Sequence, residues 1–539
     1  MSTNKTHDEG GLERGPDSLR SILRSTSVLS AGTMSSRLLG FLRDVILAKL
    51  LGTGVRADAF FVALKIPNLC RDLVGEGAVN AAVVPVLSEY LHKKKREDFW
   101  QFVSVILTMA LIILSIITIL GIILAPVIVR VIAPGFMANP QKLLLAIHLT
   151  KIMFPYLIFI GLTAYCMGIL FTFRSFIAPA FSPCLLNISI ILSALIASRT
   201  MDEPVFGLAV GVLVGGVLQL AAQIKPLINT GMRFKKPQTL HHPGAVQIGK
   251  LLIPRMFGSG VYQLTVLIDT FCASLAMIVG QGGISAIYYA NRIIQFPMGV
   301  FSIALASAVL PSLSGLVNKN DTESIKKTVV FSLENIFFVM CPTTVILVLF
   351  SSPIIRILFQ RGEFGAYSTD ITALALSFYA LGLFSFGGIK ILVTAFHALQ
   401  DTKTPVKIAA VCLAINAILN FILMVPLKVG GIALASAIAG TVDFLALLYV
   451  MNKRIGGLHS GLLTYFIKVA TAGLITGIIA YNAWPFLAFS MGLINLCLVG
   501  ILSALIYGLI CFIFKVEQAR KIWGWINSSL VARTNDPNN

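Results

Sequence analysis

Long apolar stretches separated by short polar turns dominate the chain, and their length is that of membrane-spanning helices. A helix needs about 20 apolar residues to cross a bilayer, and the pattern predicts an all-α polytopic membrane protein with fourteen transmembrane helices. The predicted segments lie near residues 27–51, 57–91, 101–132, 143–172, 177–198, 205–230, 247–280, 285–316, 328–350, 370–399, 405–426, 430–452, 463–483 and 488–515. Turn sequences such as Ala133-Pro134-Gly135 and Gly282-Gly283 mark the breaks between segments.

The first two segments depart from this pattern, because charged residues recur among their apolar ones. The charges between residues 36 and 90 are Arg37, Arg43, Asp44, Lys49, Arg56, Asp58, Lys65, Arg71, Asp72, Glu76 and Glu89. One charge at the centre of a membrane helix costs roughly 2.5–3.5 kcal/mol on insertion scales, so water or a ligand must meet these groups. Arg37 and Asp44 are seven residues apart and share a helix face. The stretch therefore predicts two helices that line a polar cavity inside the bilayer.

The composition supports the membrane assignment and changes the meaning of the positive charge. Hydrophobic residues make up 57% of the 539 residues, charged residues 12%, and the mean hydropathy is +0.88. A soluble domain contains about 25% charged residues. The net charge of +19 is spread over loops and the polar stretch, so it does not indicate a nucleic-acid partner. The eight cysteines show no paired spacing, so neither a disulfide framework nor a cysteine metal site is expected.

Loop charge predicts the orientation, since Lys and Arg accumulate on the cytoplasmic side of a membrane. One set of alternate loops is rich in basic residues: Lys93, Lys94, Lys95, Arg96, Arg174, Arg233, Lys235, Lys236, Lys319, Lys326, Lys327, Lys403, Lys407, Lys453 and Arg454. The other set carries only Arg56, Lys142, Arg199, Arg361 and Lys428. With an even number of helices, both termini are predicted to be cytoplasmic, with tails at residues 1–24 and 516–539. Trp523 and Trp525 beside basic residues indicate a short interfacial helix, or else a frayed tail.

A weak internal repeat divides the chain. Residues 81–88 (AAVVPVLS) resemble residues 307–314 (SAVLPSLS), and Asp44 precedes its proline by 41 residues where Asp269 precedes its proline by 42. The aligned pairs are Asp44 with Asp269, Phe61 with Tyr288, Lys65 with Arg292, and Pro85 with Pro311. Many transporters build two rocking bundles from such repeats. The repeat predicts an N-terminal lobe at 25–232, a C-terminal lobe at 233–455, and two extra helices at 456–515.

The chemistry of the charged positions favours a binding site over a catalytic one. The sequence has no HExxH, GxSxG or P-loop motif, so neither an enzyme nor ATP-driven transport is predicted. Four of the cations, Arg37, Arg43, Arg71 and Arg292, are arginines. A guanidinium keeps its charge when desolvated, and its planar fork matches phosphate oxygens. The set therefore suits an anionic ligand, best a phosphate or diphosphate; the alternative is structural ion pairing, for instance of Arg37 or Arg43 with Asp44.

Seven motifs carry a resemblance to a known family. They are SRLLGFLRD at 36–44, ADAFFVA at 57–63, PNL at 67–69 with Arg71, EGA at 76–78, PVL at 85–87, FQRGEF at 359–364 and DTKTPVK at 401–407. Together they resemble the MurJ (MviN) lipid II flippases of the MATE/MOP exporter superfamily. The resemblance extends from about Arg24 to Lys515.

The resemblance implies a fold and a function. Members have fourteen helices, arranged as two six-helix lobes in a V with two final helices that form a groove for a lipid tail. They move the undecaprenyl-diphosphate-linked peptidoglycan precursor from the inner to the outer leaflet of the bacterial cytoplasmic (inner) membrane. The positions here that match the essential cavity residues of the family are Arg37, Arg43, Asp58, Arg71 and Arg292. Asp44 and Glu76 match further charged positions in the same motifs.

The resemblance also implies a metal site, because some relatives bind sodium in the second lobe. The matching positions here are Asp269, Asn416, Asn420 and Ser436. Asn416 and Asn420 are four residues apart and share a face, but only Asp269 supplies a carboxylate. Asn291 and Gln295 also depart from the family, whose members often carry acids around the matched arginine. No other cofactor is expected.

Three alternatives remain open at the level of sequence. A flippase for another polyprenyl-diphosphate glycan would use the same arginines, and only the family motifs favour peptidoglycan. A MATE-type antiporter should instead show a cavity dominated by acids. A scaffold in a cell-wall synthesis complex would not need buried charges. The expected partners are the lipid-linked precursor and membrane lipid, with the chain acting as a monomer or within such a complex.

Overall fold

The chain is described by a computed structural model that covers residues 16–74, 78–234, 237, 239–240, 242–457, 461–487, 492–521 and 523–524. Side chains are described from Ser27 onward, apart from residues 70, 72–74, 78–81, 253–259, 262, 486–487 and 493. Nearly all of the described residues are helical, and none of them lies in a strand. The predicted all-α class is thereby confirmed.

Eight helices form the first group, which we call the N-lobe. They are α1 (Pro16–Leu51), α2 (Val55–Val74), α3 (Ala78–Lys93), α4 (Arg96–Ile132), α5 (Pro140–Met153), α6 (Tyr156–Thr172), α7 (Ile177–Thr200) and α8 (Pro204–Asn229). A 3₁₀ turn at Pro134–Ala138 joins α4 to α5, and the Asn139 side chain caps α5 by accepting from the backbone N–H of Lys142. α1 begins before the apolar segment predicted from residue 27, so part of the predicted tail at 1–24 is helical; polar helical turns escape a search for apolar runs.

Ten helices form the second group, the C-lobe, and two more follow it. The C-lobe contains α9 (Pro243–Ser274), α10 (Ala276–Val279), α11 (Gly283–Pro297), α12 (Ala304–Asn318), α13 (Thr322–Leu349), α14 (Ser351–Phe359), α15 (Ala366–Ala380), α16 (Leu383–Ala398), α17 (Lys403–Leu427) and α18 (Val429–Arg454). A π-helical segment at Met298–Ile303 joins α11 to α12. The last two helices, α19 (Gly461–Leu487) and α20 (Gly492–Ile513), pack against α13 and α14.

Ten helical stretches among the described residues are long and apolar enough to cross a membrane, or eleven if α15 and α16, bent by 47°, count as one span. The predicted number of fourteen is therefore not confirmed by length and composition. Helices α1, α2–α3 and α9 cover the three remaining predicted segments. α1 and α2 carry the charges of the polar stretch, and these charges lower the hydropathy on which such a count depends.

Helix packing repeats between the two lobes. In the N-lobe, α1 packs on α7, and α2 and α3 pack on α5 and α6. In the C-lobe, α9 packs on α17, and α11 and α12 pack on α15 and α16. The extensive α7–α8 contact has its counterpart in α17–α18. The two groups thus share a similar order of helix contacts, and α2 of the N-lobe contacts α9 and α11 of the C-lobe.

Candidate functional site

A buried carboxylate joins the two lobes. Asp44 lies on α1 and has no exposed surface. It accepts hydrogen bonds from Arg43 Nη2 at 2.7 Å and Nε at 3.0 Å, and from the Tyr288 hydroxyl at 3.0 Å. Its second oxygen accepts from Nε of Arg292. Because Tyr288 and Arg292 belong to α11, the carboxylate bridges the N-lobe to the C-lobe.

The partners of Arg43 hold it in place. Its Nη1 donates to Asn187 Oδ1 on α7 at 3.0 Å, and its Nη2 donates to the Tyr288 hydroxyl at 2.9 Å. Asn187 in turn donates to the backbone carbonyl of Ser36 at 3.1 Å. Helical periodicity placed Asp44 on the face of Arg37, but the structure pairs Asp44 with its neighbour Arg43. The long arginine side chain folds across the 100° between adjacent positions, which a face argument neglects.

Arg37 is held differently from the other two arginines. Among the described residues, no side chain or carbonyl accepts a hydrogen bond from its guanidinium, which is half-buried. The guanidinium lies directly on the backbone of Gly299, in the π-helical segment of the C-lobe, where an added Cβ would overlap it. Gly299 was not singled out from the sequence, although π-helical segments often mark functional sites.

The charges of this cluster do not cancel. Arg37, Arg43 and Arg292 contribute three positive charges and Asp44 one negative charge, which leaves two positive charges. The ion pairs that the sequence suggested as an alternative to ligand binding therefore neutralise only part of the charge of these three arginines. The side chain of Arg292 is 31% exposed and Arg37 is partly exposed, so an anionic ligand can reach both of them.

An aromatic stack lies beside the cluster. The rings of Phe61 on α2 and Tyr288 on α11 are stacked with centroids 4.0 Å apart, and Tyr289 meets Phe61 edge-on at 5.4 Å. Tyr288 thus contacts the acid, an arginine and the opposite lobe at once. The sequence repeat aligned Phe61 with Tyr288, but it gave no reason to expect that the two rings would touch.

Asp58 joins the lobes at a second place. Its Oδ2 accepts from Lys142 Nζ at 2.6 Å, and its Oδ1 accepts from the backbone N–H of Ser285 at 2.9 Å and from the Ser285 hydroxyl at 2.5 Å. Ser285 lies in the first turn of α11. A carboxylate of the N-lobe therefore caps a helix of the C-lobe, where the helix dipole favours negative charge. In the structure Asp58 belongs to this contact and has no bond to the arginines.

Backbone contacts surround this cap. The hydroxyls of Thr53 and Ser368 are 2.7 Å apart, and the Glu363 N–H donates to the Lys49 carbonyl at 2.9 Å. Gly52, with φ +58°, lies so close to the Glu363 carbonyl that a Cβ there would overlap it. The turn between α1 and α2 is thereby enclosed by residues of the C-lobe, from the loop before α15 and from α15 itself. We call this set of contacts, together with the Asp58 cap, the gate.

Comparisons with known proteins identify the family. A family model described as lipid II flippase MurJ matches residues 47–500. The Burkholderia cenocepacia protein named lipid II flippase MurJ is 34% identical over 461 residues, which cover 84% of this chain and 88% of the relative. The chain belongs to the MurJ family.

Solved structures agree with this assignment. A MurJ structure described as lipid II flippase MurJ, inward closed conformation, matches with a TM-score of 0.77 and 28% identity, covering 90% of this chain and 98% of that one. An inward-facing multidrug resistance MATE transporter of the MOP superfamily matches with a TM-score of 0.65 and 15% identity, covering 80% and 98%. At that identity the MATE match shows the fold alone. The resemblance read from the motifs is confirmed, and the MATE alternative is not favoured.

Two further residues that the MurJ resemblance singled out are Arg71 and Glu76. Arg71, near the end of α2, lines a cavity of about 20 Å³ within the N-lobe, together with Thr163, Ser182 and Gln219. Glu76 lies outside the described residues. The structure therefore brings together Arg43, Asp44 and Arg292. Arg37 lies about two helical turns before Asp44 on α1, against Gly299.

The four positions that the resemblance matched to a sodium site form one cluster in the C-lobe, in which Asp269, Asn416 and Asn420 are buried and Ser436 is half-buried. Asn420 Nδ2 donates to Asp269 Oδ1 at 2.8 Å and to Asn416 Oδ1 at 3.2 Å, and the Ser436 hydroxyl donates to Asp269 Oδ2 at 3.1 Å. Asn420 is fully buried, yet its Oδ1 has no donor among the described residues. A set of oxygen atoms with one carboxylate and one unpaired buried acceptor suits a hard monovalent cation. The residues present therefore fit the ion.

Proposed function

We propose that this chain is a lipid II flippase. It carries the undecaprenyl-diphosphate-linked peptidoglycan precursor from the cytoplasmic to the outer leaflet by alternating access. The observation that carries the proposal is the cluster of Arg37, Arg43, Asp44 and Arg292, whose two uncompensated positive charges lie among membrane helices. A diphosphate diester has one ionised oxygen on each phosphate, so its charge matches that excess. The chain is a transporter and not an enzyme, as its family relationships imply.

Asp44 would act as the competitor of the substrate in this scheme. The diphosphate offers Arg43 and Arg292 oxygens that replace those of Asp44, and it gives Arg37 the partner that it lacks among the described residues. Charge-assisted bonds of guanidinium to phosphate are short and frequently bidentate. Arg71 and Glu76 complete the proposed binding residues in a conformation with separated lobes. The lipid tail would remain in the bilayer along α19 and α20, whose spans are apolar.

Alternation between the two sides would follow from the gate. Closing of the cytoplasmic side must be accompanied by loss of the Asp58 cap and of the Thr53–Ser368 contact, because both join the lobes at the opposite end. A ligand shifts such an equilibrium only through different affinities for the two states. Lys142 is buried beside Asp58 and would keep that carboxylate neutralised after Ser285 has moved away.

The membrane placement follows in part from the same observations. The MurJ family and the ten apolar spans indicate a multi-pass protein of the inner membrane. We propose that both termini are cytoplasmic, because the loops rich in Lys and Arg then lie inside. The gate then lies on the outer side. We further propose that a monomer suffices for transport, with a cell-wall synthesis complex as its setting.

A sodium site in the C-lobe is a further part of the proposal. Asp269, Asn416, Asn420 and Ser436 would hold the ion, which would neutralise the Asp269 carboxylate. The support is the unpaired Asn420 oxygen beside a buried carboxylate. Removal of sodium should therefore lower the thermal stability of the purified chain, and Asp269→Asn should abolish that response.

Replacement of the native flippase in living cells tests the main proposal. The native protein is depleted while Arg43→Ala or Arg71→Ala is the sole copy, and the sidedness of the lipid-linked precursor is measured. Both variants should stop growth and leave precursor on the cytoplasmic face. Arg199→Ala, which removes an exposed arginine at the end of α7, is the matched control and should grow. Full viability of both the Arg43→Ala and the Arg71→Ala strains would overturn the proposal.

A further inference from the structure

An acid of each lobe lies near a cation of the other lobe, and the sequence repeat aligns the two acids and the two cations with each other. The sequence repeat aligns Asp44 with Asp269 and Lys65 with Arg292. In the structure, Arg292 of the C-lobe binds Asp44 of the N-lobe. Reciprocally, Lys65 of the N-lobe donates to the hydroxyl of Thr270, the residue after Asp269, at 2.5 Å. Because Thr270 is the next residue in α9, this bond places the Lys65 ammonium in the neighbourhood of the Asp269 carboxylate, across the lobe boundary. The stacked rings of Phe61 and Tyr288 lie between the lobes.

The two acids differ in whether their own lobe supplies a positive counter-charge. Asp44 follows Arg43, which neutralises it within the N-lobe. The residue before Asp269 is Ile268, which packs against the hydrophobic core. The hydrogen-bond donors to Asp269 in the C-lobe, Asn420 and Ser436, are both neutral. A buried carboxylate without a positive partner is costly, so a positive charge supplied by the opposite lobe would stabilise ionised Asp269.

We infer that Lys65 is the counter-charge of Asp269 while the lobes are together, and that it competes with a monovalent cation for this carboxylate. The inference deepens the proposed function, since it rests on the proposed sodium site. Lys65 is a positioning residue in this view and need not touch the transported lipid. When the lobes separate at this place, Lys65 moves away with α2, and the carboxylate is left to a cation.

This arrangement couples ion binding to the movement of the lobes. A cation that binds better when Lys65 is withdrawn must, by linkage, favour the conformation in which Lys65 is withdrawn. The N-lobe acid cannot respond in the same way, because Arg43 travels with it on α1. The two pairs of aligned residues therefore have different functions. Asp44 binds Arg292, which the substrate can bind in its place. Asp269 is neutralised by Lys65, which a monovalent cation can replace.

Sodium titrations of the purified full-length chain in nanodiscs test the inference. Thermal unfolding is followed as sodium chloride replaces choline chloride at constant ionic strength. Lys65→Met should lower the half-maximal sodium concentration by about tenfold, because the competing charge is gone, whereas Lys65→Arg should leave it near the wild-type value. Lys390→Met removes a lysine from α16 and is the matched control. An unchanged midpoint in Lys65→Met would overturn the inference, and so would the absence of any sodium response.

A second measurement keeps Lys65 in place, in case the variant folds poorly. Thr53→Cys and Ser368→Cys are introduced into a background without the native cysteines, and the rate of their oxidative cross-linking reports contact at the gate. Sodium should slow the cross-linking, and Asp269→Asn should remove this effect. A rate that sodium leaves unchanged would contradict the inference. Transport of lipid II by the unlabelled chain is measured separately, so failure of the flippase proposal is distinguished from failure of the ion coupling.

Discussion

Replacement of Asp44 by asparagine tests whether one carboxylate holds the lobes together. The substitution keeps the size of the side chain but leaves Arg43, only 8% exposed, and Arg292 without an acid. Removal of one partner of a buried ion pair costs about 3–5 kcal/mol. Because the Arg292 side chain is 31% exposed, solvent screening reduces its share, and the lower end of that range applies.

Repulsion between the two arginines adds to the effect. Both guanidiniums contact the same carboxylate, and two like charges about 5 Å apart repel by about 3 kcal/mol at an effective dielectric constant of about 20. Relaxation of Arg292 towards solvent removes much of this second contribution. A net cost of about 3 kcal/mol to the conformation with joined lobes would lower its population relative to the separated one by about 100-fold.

Cross-linking of the Thr53→Cys/Ser368→Cys pair measures this population. We expect Asp44→Asn to slow the cross-linking strongly and to lower thermal stability in the absence of substrate. The control is Glu203→Gln, which removes the acid of an exposed pair with Arg56 within the N-lobe and should change neither quantity. If Asp44→Asn cross-links and unfolds like the wild type, the carboxylate does not hold the lobes together, and the charge argument is wrong.

Three further variants probe other parts of the structure. Gly299→Ala should fold with a stability within about 1 kcal/mol of the wild type, because the flexible Arg37 side chain can move away from the added methyl group. The displacement of Arg37 should reduce lipid II transport in liposomes at least about tenfold. Asp58→Ala removes the cap of α11 and leaves Lys142 buried and unpaired, so cross-linking at the gate should slow and thermal stability should fall by about 3 kcal/mol. Outside the membrane spans, the backbone N–H and hydroxyl of Thr404, with the help of Arg454, lower the pKa of Asp401 to about 2. The stabilisation by the Asp401 carboxylate is therefore present above the unfolded pKa of about 3.9 and is lost as the pH falls towards about 2. Asp401→Asn should lower the free energy of unfolding by about 1 kcal/mol at pH 7 and by progressively less below pH 4, as measured by thermal unfolding.

Each of these variants has an outcome that would contradict its reasoning. Gly315→Ala, on α12 with open space around the glycine, should transport normally, and equal transport by Gly299→Ala would show that the place of Arg37 is unimportant. An Asp58→Ala chain as stable as the wild type would argue against the cap. For Asp401, a stability difference that persists unchanged down to pH 2 would show that its charge is not what stabilises the loop.

The helical architecture and the chemical character of the site follow from short-range features of the sequence. Apolar length and period depend on residues close together in the chain, so the helices, the repeat and the interior position of the charged stretch could be predicted from them. The choice of arginine over lysine already indicated an anionic ligand. The first residue of α1 and the number of membrane spans could be predicted less well, because polar helical turns and charged residues lower the hydropathy of helical segments.

The pairing of the charges, in contrast, depends on how the helices pack in three dimensions. Arg292 lies 248 positions from Asp44, and the pairing of Asp58 with the first turn of α11 depends on how two separate bundles dock. No local pattern encodes such a contact, since its geometry is the sum of many helix packings between the two residues. The same holds for Gly299 beneath Arg37 and for Lys65 beside Asp269. The residues of the site could be predicted from the sequence, whereas the residues that they contact depend on how the two lobes pack against each other.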